Sequence, residues 1–119
     1  MTRPARSMQV FGFYLGLLGL GLTIIPNLLL TLFGFSTTAE PWIRVLGFVV
    51  VILAHYYLAA AYAGDRLFMR STIIPRLLAL PVFAIFVWAA WAPANLLLFA
   101  LPDVIGALWT RQALSGEAD

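Results

Sequence analysis

The feature that most constrains this chain is a succession of apolar runs, each long enough to cross a lipid bilayer. The first run, residues 10–32, carries no charge, and three more follow at about 42–63, 72–91 and 94–110. A helical span takes about 20 residues, so four spans use roughly 80 positions. Only 10% of residues are charged, and no stretch between the runs is long enough to bury its own core. The sequence therefore excludes an ordinary soluble domain and a catalytic domain outside the membrane.

Prolines and short connections predict how the helices are arranged. Pro41, Pro75 and Pro93 lie at or near the starts of the second, third and fourth segments, where a missing N–H is tolerated. Because the connections are short, consecutive helices are expected to be antiparallel. We predict an all-α integral membrane protein, a four-helix up-down-up-down bundle in a single domain, residues 1–119. Its helices are predicted at about 8–33, 41–63, 72–92 and 94–111.

The arginines predict the orientation of the bundle. Arg44 is the one basic residue on one side, and the others flank the opposite side: Arg3, Arg6, Arg66, Arg70, Arg76 and Arg111. By the positive-inside rule, both termini are expected to be cytoplasmic. Arg66 and Arg70 in the second loop are predicted to hold anionic lipid headgroups.

The first helix carries a row of small residues. Gly12, Gly16 and Gly19 recur at helical spacing and form a face that another helix can approach closely. This helix-packing face serves either a neighbouring helix of the same chain or a second copy in a homo-oligomer.

The second segment carries two ionisable residues on one face. Arg44 and His55 are eleven positions apart, which is three helical turns plus about 20°. Phe48 and Tyr62 extend the same stripe. Ionisable groups that face lipid are costly, so this face is expected to point inward. Alternatively, Arg44 reaches the headgroups and His55 is a neutral imidazole bonded to a neighbouring helix.

Asp103 lies near the middle of the fourth segment, at a depth where an unpaired carboxylate is expensive. It is therefore expected to be paired, protonated or beside a wet cavity. Helix geometry places it level with about Val50 of the second segment, between Arg44 and His55. A purely structural pair of Asp103 with Arg44 or His55 is the alternative. The predicted ligand-binding residues are Arg44, His55, Asp103, Tyr62 and Asn27.

Several signatures of known chemistry are missing from the sequence. It has no cysteine, no histidine-rich cluster, no glycine-rich phosphate loop and no nucleophile elbow. We predict no metal and no cofactor, with haem or quinone left open. A net charge of +2 also argues against nucleic acid as a partner.

A set of loose motifs resembles a known family. In chain order they are Trp42-x-Arg44-x-x-Gly47, then Tyr56-Tyr57 before an alanine-rich stretch, then Phe68-x-Arg70-x-Thr72 with Arg76, and Asp103-x-x-Gly106-Ala107-x-Trp109-Thr110. This order resembles small four-helix bacterial membrane proteins of the DoxX-like type. The resemblance implies a multi-pass protein of the bacterial inner membrane with a polar centre shared by the second and fourth helices. It implies no single substrate, because wider relatives include quinone-linked oxidation subunits, accessory proteins and sterol-binding or isomerising proteins.

Two classes of function follow from these residues. The favoured one is non-enzymatic: the protein binds a small amphipathic or lipid-like ligand in a polar pocket, or acts as an oligomeric accessory subunit. The alternative is a membrane-embedded isomerase or hydratase that uses Asp103 and His55 as acid and base on an apolar substrate. Proton-coupled transport of a small molecule is a third hypothesis. The absence of a recognisable catalytic set favours the first class.

Overall fold

The computed structural model describes residues 1–116, and the final three residues of the predicted domain lie outside the described residues. Helices account for all regular structure in this part of the chain, where no strand occurs. A short 3-10 turn, Ala94–Leu96, precedes the last helix. The helices are α1 (Arg3–Ile24), α2 (Pro26–Leu32), α3 (Trp42–Ala63), α4 (Arg66–Ser71), α5 (Ile73–Trp88) and α6 (Leu97–Ser115).

Three helical stretches are long and apolar enough to cross a membrane. They are Arg3–Ile24, Trp42–Ala63 and the stretch Arg66–Trp88, which combines α4 and α5. The all-helical class predicted from the sequence is therefore confirmed, and three of the predicted spans have the length and apolar composition that a membrane crossing requires.

The first predicted helix, residues 8–33, is divided in two. The side chain of Thr2 accepts a hydrogen bond from the Ala5 amide, so α1 begins at Arg3. At the other end the chain bends at Ile25, and Pro26 begins α2. Proline has no N–H to donate and its ring clashes with the preceding turn, so it starts a new helix more readily than it continues one.

Small residues bring α1 and α3 into close antiparallel contact. Gly16 of α1 faces Ala54 of α3, and further along Gly19 faces Gly47 and Val51. A Cβ atom on Gly19 would lie 2.7 Å from both the Gly47 carbonyl oxygen and the Val51 amide nitrogen. The predicted packing row on α1 therefore serves a helix of the same chain, and Gly19 is its tightest point.

The remaining contacts leave one side of the molecule open. On its other flank α1 packs against α6, which in turn packs against α5. Within the described residues, α3 does not pack closely on either α5 or α6. The long helices therefore lie in the order α3, α1, α6, α5, with a gap between α3 and the pair formed by α5 and α6. This differs from a closed four-helix bundle, in which α3 would contact one of them.

We call the end of the molecule where α1 ends and α3 begins the loop end. Two asparagines bond to the connecting segments there. Asn95 donates to the Phe33 carbonyl oxygen at 2.7 Å, and the Asn27 side chain accepts from the Thr38 amide at 2.9 Å. The ring of Phe99 contacts those of Phe33 and Phe35 there. The loop before α3 is thus fastened across the start of α6.

Candidate functional site

The gap between the helices contains an apolar cavity of about 530 Å³. This volume lies within the range of about 300–1,000 Å³ that is usual for small-molecule sites. Tyr14 and Asp103 are the polar members of its wall. The lining residues are Tyr14, Leu15, Leu18 and Leu22 of α1, Leu30 of α2, Phe35, then Ile43, Leu46, Val50 and Leu53 of α3, Phe83 of α5, and Leu96, Phe99 and Asp103 around α6.

Helical periodicity explains why α3 contributes four large side chains to this wall. Ile43, Leu46, Val50 and Leu53 recur at three- or four-residue intervals and form one stripe. The small residue Gly47 lies on the neighbouring face, which is in contact with α1. Because close packing uses the small face, the stripe of larger side chains borders the gap.

A buried arginine lies behind the Asp103 end of the cavity. Arg76 of α5 is only 4% exposed. Its Nη2 atom donates to Thr72 Oγ1 at 2.9 Å and to Thr110 Oγ1 at 3.0 Å, and its Nε atom donates to the Thr72 carbonyl oxygen at 3.3 Å. The guanidinium carbon lies 4.9 Å from the ring centre of Phe11 and 5.6 Å from that of Tyr57. Aromatic faces at these distances attract a cation.

Hydroxyl groups extend this network from α5 through α6 to α1. The Ser7 hydroxyl lies 2.7 Å from Thr110 Oγ1 and donates to the Pro4 carbonyl oxygen at 2.7 Å. A serine hydroxyl has a single hydrogen. Thr110 must therefore donate to Ser7 while it accepts from Arg76. Each hydroxyl is satisfied, and the network connects three helices.

One nitrogen of the guanidinium is left over. Arg76 Nη1 is buried and has no hydrogen-bond partner among the described residues. It lies next to α6 at Gly106, where a Cβ atom would approach it to 3.2 Å. Asp103 precedes Gly106 by one helical turn and lines the cavity. The unpartnered Nη1 donor of Arg76 therefore lies beside α6, one helical turn from Asp103, whose carboxylate is in the cavity wall.

The structure corrects the prediction that the face of α3 with Arg44 and His55 points inward. His55 and Phe48 are exposed, and Tyr62 is 65% exposed and accepts a hydrogen bond from Gln9 at 3.3 Å. Neither His55 nor Tyr62 lines the cavity. The reason is that the shape of the small residues decides which side of α3 meets α1, and the polar side chains are left outside.

Arg44 and Asn27 also lie apart from the cavity lining and have other partners. Arg44 Nη1 donates to the carbonyl oxygens of Thr23 and Ile24 at the end of α1. The break before Pro26 leaves these carbonyls without their usual helical partners, and a cation at a helix C-terminus is favourable. Asn27 fastens the loop through Thr38, as described above. Of the five predicted ligand-binding residues, only Asp103 lines the cavity.

The two arginines predicted at lipid headgroups lie on the short helix α4. Arg66 Nη2 donates to the Leu114 carbonyl oxygen near the end of α6, at 3.4 Å, and Arg70 is exposed. Arg66 thus has a contact within the protein, and headgroup binding by either residue stays a prediction.

Arg76 is the site residue that sequence reasoning missed. From the sequence, Arg76 was used only to predict the orientation of the bundle. Arg76 lies four positions after Thr72, however, and so shares a helix face with it. A threonine and an arginine on one face of an apolar helix are a signal for a buried, hydrogen-bonded cation. Its partner Thr110 and the Ser7 hydroxyl that bonds Thr110 belong to other helices, so their approach was not readable from the local sequence.

Comparison with known proteins identifies no relative: no family model, no curated protein and no solved structure matches the chain. Within residues 1–116, no group of three or more histidine, cysteine, aspartate and glutamate side chains is placed to hold a metal ion. The fold and the site define an α-helical protein with three helical stretches apolar enough to cross a membrane and an apolar cavity that has one carboxylate in its wall.

Proposed function

We propose that this chain is a four-pass membrane protein that binds a small amphipathic molecule from the bilayer in the cavity. The observation that carries the proposal is the combination of about 530 Å³ of apolar space with one carboxylate, that of Asp103, in its wall. Binding pockets are commonly apolar with a few polar groups that fix orientation. The gap beside α3 faces sideways, so a ligand would enter from the lipid and not from water.

The proposed membrane placement adds a fourth membrane-crossing helix, α6, to the three apolar stretches described above. α6 has 19 residues and runs antiparallel to α5, which favours a fourth crossing. Trp42, Trp88 and Trp91 are exposed at the loop end, as is typical of a membrane interface. The arginine-rich opposite end would then be cytoplasmic, together with both termini. The DoxX-like resemblance supports a bacterial inner membrane.

The test is to fill the cavity. Leu18 lines it, whereas its neighbour Leu17 is 74% exposed on the outer face of α1. We expect the gently solubilised wild-type protein to carry a small molecule that native mass spectrometry detects. Leu18→Trp should lose this molecule and Leu17→Trp should retain it. Equal amounts in both variants, only bulk phospholipid in all samples, or no bound molecule in the wild type would overturn the proposal.

The enzymatic alternative gains no comparable support. An isomerase or hydratase that uses Asp103 with His55 needs both groups at one substrate, and His55 does not line the cavity. Of these two groups, only Asp103 borders the space where an apolar substrate would lie.

A further inference from the structure

We infer that the cavity selects a neutral molecule with a hydrogen-bond-donating head, such as a long-chain alcohol, over amphiphiles with a charged head. This inference rests on the proposed binding function and specifies the chemistry of the ligand. It follows from the charges of Arg76 and Asp103 and from the apolar composition of the rest of the wall.

The charge on Arg76 needs a compensating charge. A guanidinium is not deprotonated in proteins, and the groups that bond Arg76 are neutral: the hydroxyls of Thr72 and Thr110, the carbonyl of Thr72 and the sulfur of Met8. An unbalanced cation inside a membrane is costly. Asp103, which lines the cavity one helical turn before Gly106, is the acid on the stretch of α6 that Arg76 Nη1 faces. The carboxylate therefore carries the balancing negative charge.

This balance decides which head group fits. The guanidinium and the carboxylate together carry no net charge, so a neutral ligand leaves the pair balanced. An ammonium head beside Asp103 would add a second cation near Arg76, and a carboxylate head would add a second anion near Asp103. Like charges placed together in an interface oppose binding. A hydroxyl can donate to the Asp103 carboxylate without either penalty.

The cavity wall also limits the polar part to one small group. Apart from Tyr14 and Asp103, its lining side chains are those of Leu, Ile, Val and Phe. A head group with several hydrogen-bonding atoms would leave some of them unpaired against this wall, which is costly. A single hydroxyl on an apolar body matches one carboxylate.

The experiment compares three probes that share one alkyl chain: dodecanol, dodecylamine and dodecanoate. Each is titrated into the wild-type protein in nanodiscs, and retention is measured by native mass spectrometry against the Leu18→Trp background. We expect dodecanol to bind about tenfold more tightly than either charged probe. In Asp103→Asn the guanidinium is left unbalanced, so the order should change and dodecanoate should bind best.

The matched control is Asp65→Asn, the same chemical change at an exposed acid. Asp65 caps α4 by accepting from the Phe68 amide, and asparagine caps equally well. This variant should keep the wild-type preference. If dodecylamine or dodecanoate binds the wild type best, the inference is overturned while the proposed cavity function stands. If no probe binds above the Leu18→Trp background, the proposed function itself fails. If Asp103→Asn does not fold, the order in which the wild-type protein binds the three probes still tests the inference.

Discussion

Arg76 and Thr110 are joined across the interface of α5 and α6 by a hydrogen bond of 3.0 Å between two fully enclosed side chains. A charged donor strengthens such a bond, and an apolar setting strengthens it further. Thr110 passes the connection on to Ser7 of α1. The bond is therefore part of what holds the pair formed by α5 and α6 onto α1.

Replacing Thr110 with valine should destabilise the protein. The change keeps the shape of the side chain but leaves an Arg76 N–H group and the Ser7 oxygen each without one partner. We expect a loss of about 1–3 kcal/mol in the free energy of unfolding. Chemical unfolding in detergent micelles measures it. Thr31→Val on exposed α2 is the control and should have little effect. Equal stabilities of the two variants would contradict the role given to the network.

The glycine row should tolerate alanine at one position and not at the next. In Gly19→Ala the new methyl group would meet backbone atoms of α3 at 2.7 Å, whereas in Gly16→Ala it would lie 3.7 Å from the Ala54 Cβ atom, an ordinary contact. Overpacking costs about 1–3 kcal/mol. Thermal unfolding should show this loss for Gly19→Ala only. A similar loss in both variants would mean that α1 and α3 do not cross at Gly19.

Substitution of Arg44 should loosen the loop end and leave ligand binding intact. Arg44→Gln shortens the side chain and removes its charge, so the bonds to the Thr23 and Ile24 carbonyls are lost. Hydrogen exchange of the backbone amides should become faster in α2. The retained small molecule should match the wild type in amount, as it should in His55→Ala. Loss of the molecule in either variant would restore the pocket predicted from the sequence.

The proposed orientation can be tested with single cysteines, because the chain has none of its own. A membrane-impermeant thiol reagent applied to intact cells should label Thr37→Cys and Ala94→Cys at the loop end. It should label Ser71→Cys and Gln112→Cys only after the membrane is opened. Labelling of Gln112→Cys in intact cells would show that α6 does not complete a fourth crossing.

The helices were predictable because they depend on local properties of the chain. Apolar length marks the spans, although one helix was predicted over residues 8–33, where the structure ends α1 at Ile24 and begins α2 at Pro26. The face of α3 was not predictable from hydrophobicity, since lipid is as apolar as a packed side chain and large apolar residues are stable on either side. Gly47, Ala54 and Ala61, seven positions apart, were the better guide, because only small residues permit close approach.

Of the five residues predicted to bind a ligand, the structure places one, Asp103, in the cavity wall, and the reason is related. Asp103 is a carboxylate in the middle of an apolar run, so it had to find a special environment wherever the helices packed. Arg44 and Asn27 lie near helix ends, where backbone groups without helical partners offered them bonds inside the protein. The network around Arg76 depends on the distances between three helices, which no local pattern contains.

The position of the cavity has a thermodynamic consequence. It lies at the seam between two helical hairpins, α1 with α3 and α5 with α6, so a molecule bound there contacts both. Such a ligand binds only the docked state, in which the two hairpins pack together, because separated hairpins do not form the cavity. By mass action it would raise the apparent stability of the docked state, by about 2.7 kcal/mol at a free concentration about 100 times Kd. The ligand would then stabilise the packing of the two hairpins that form its own binding site.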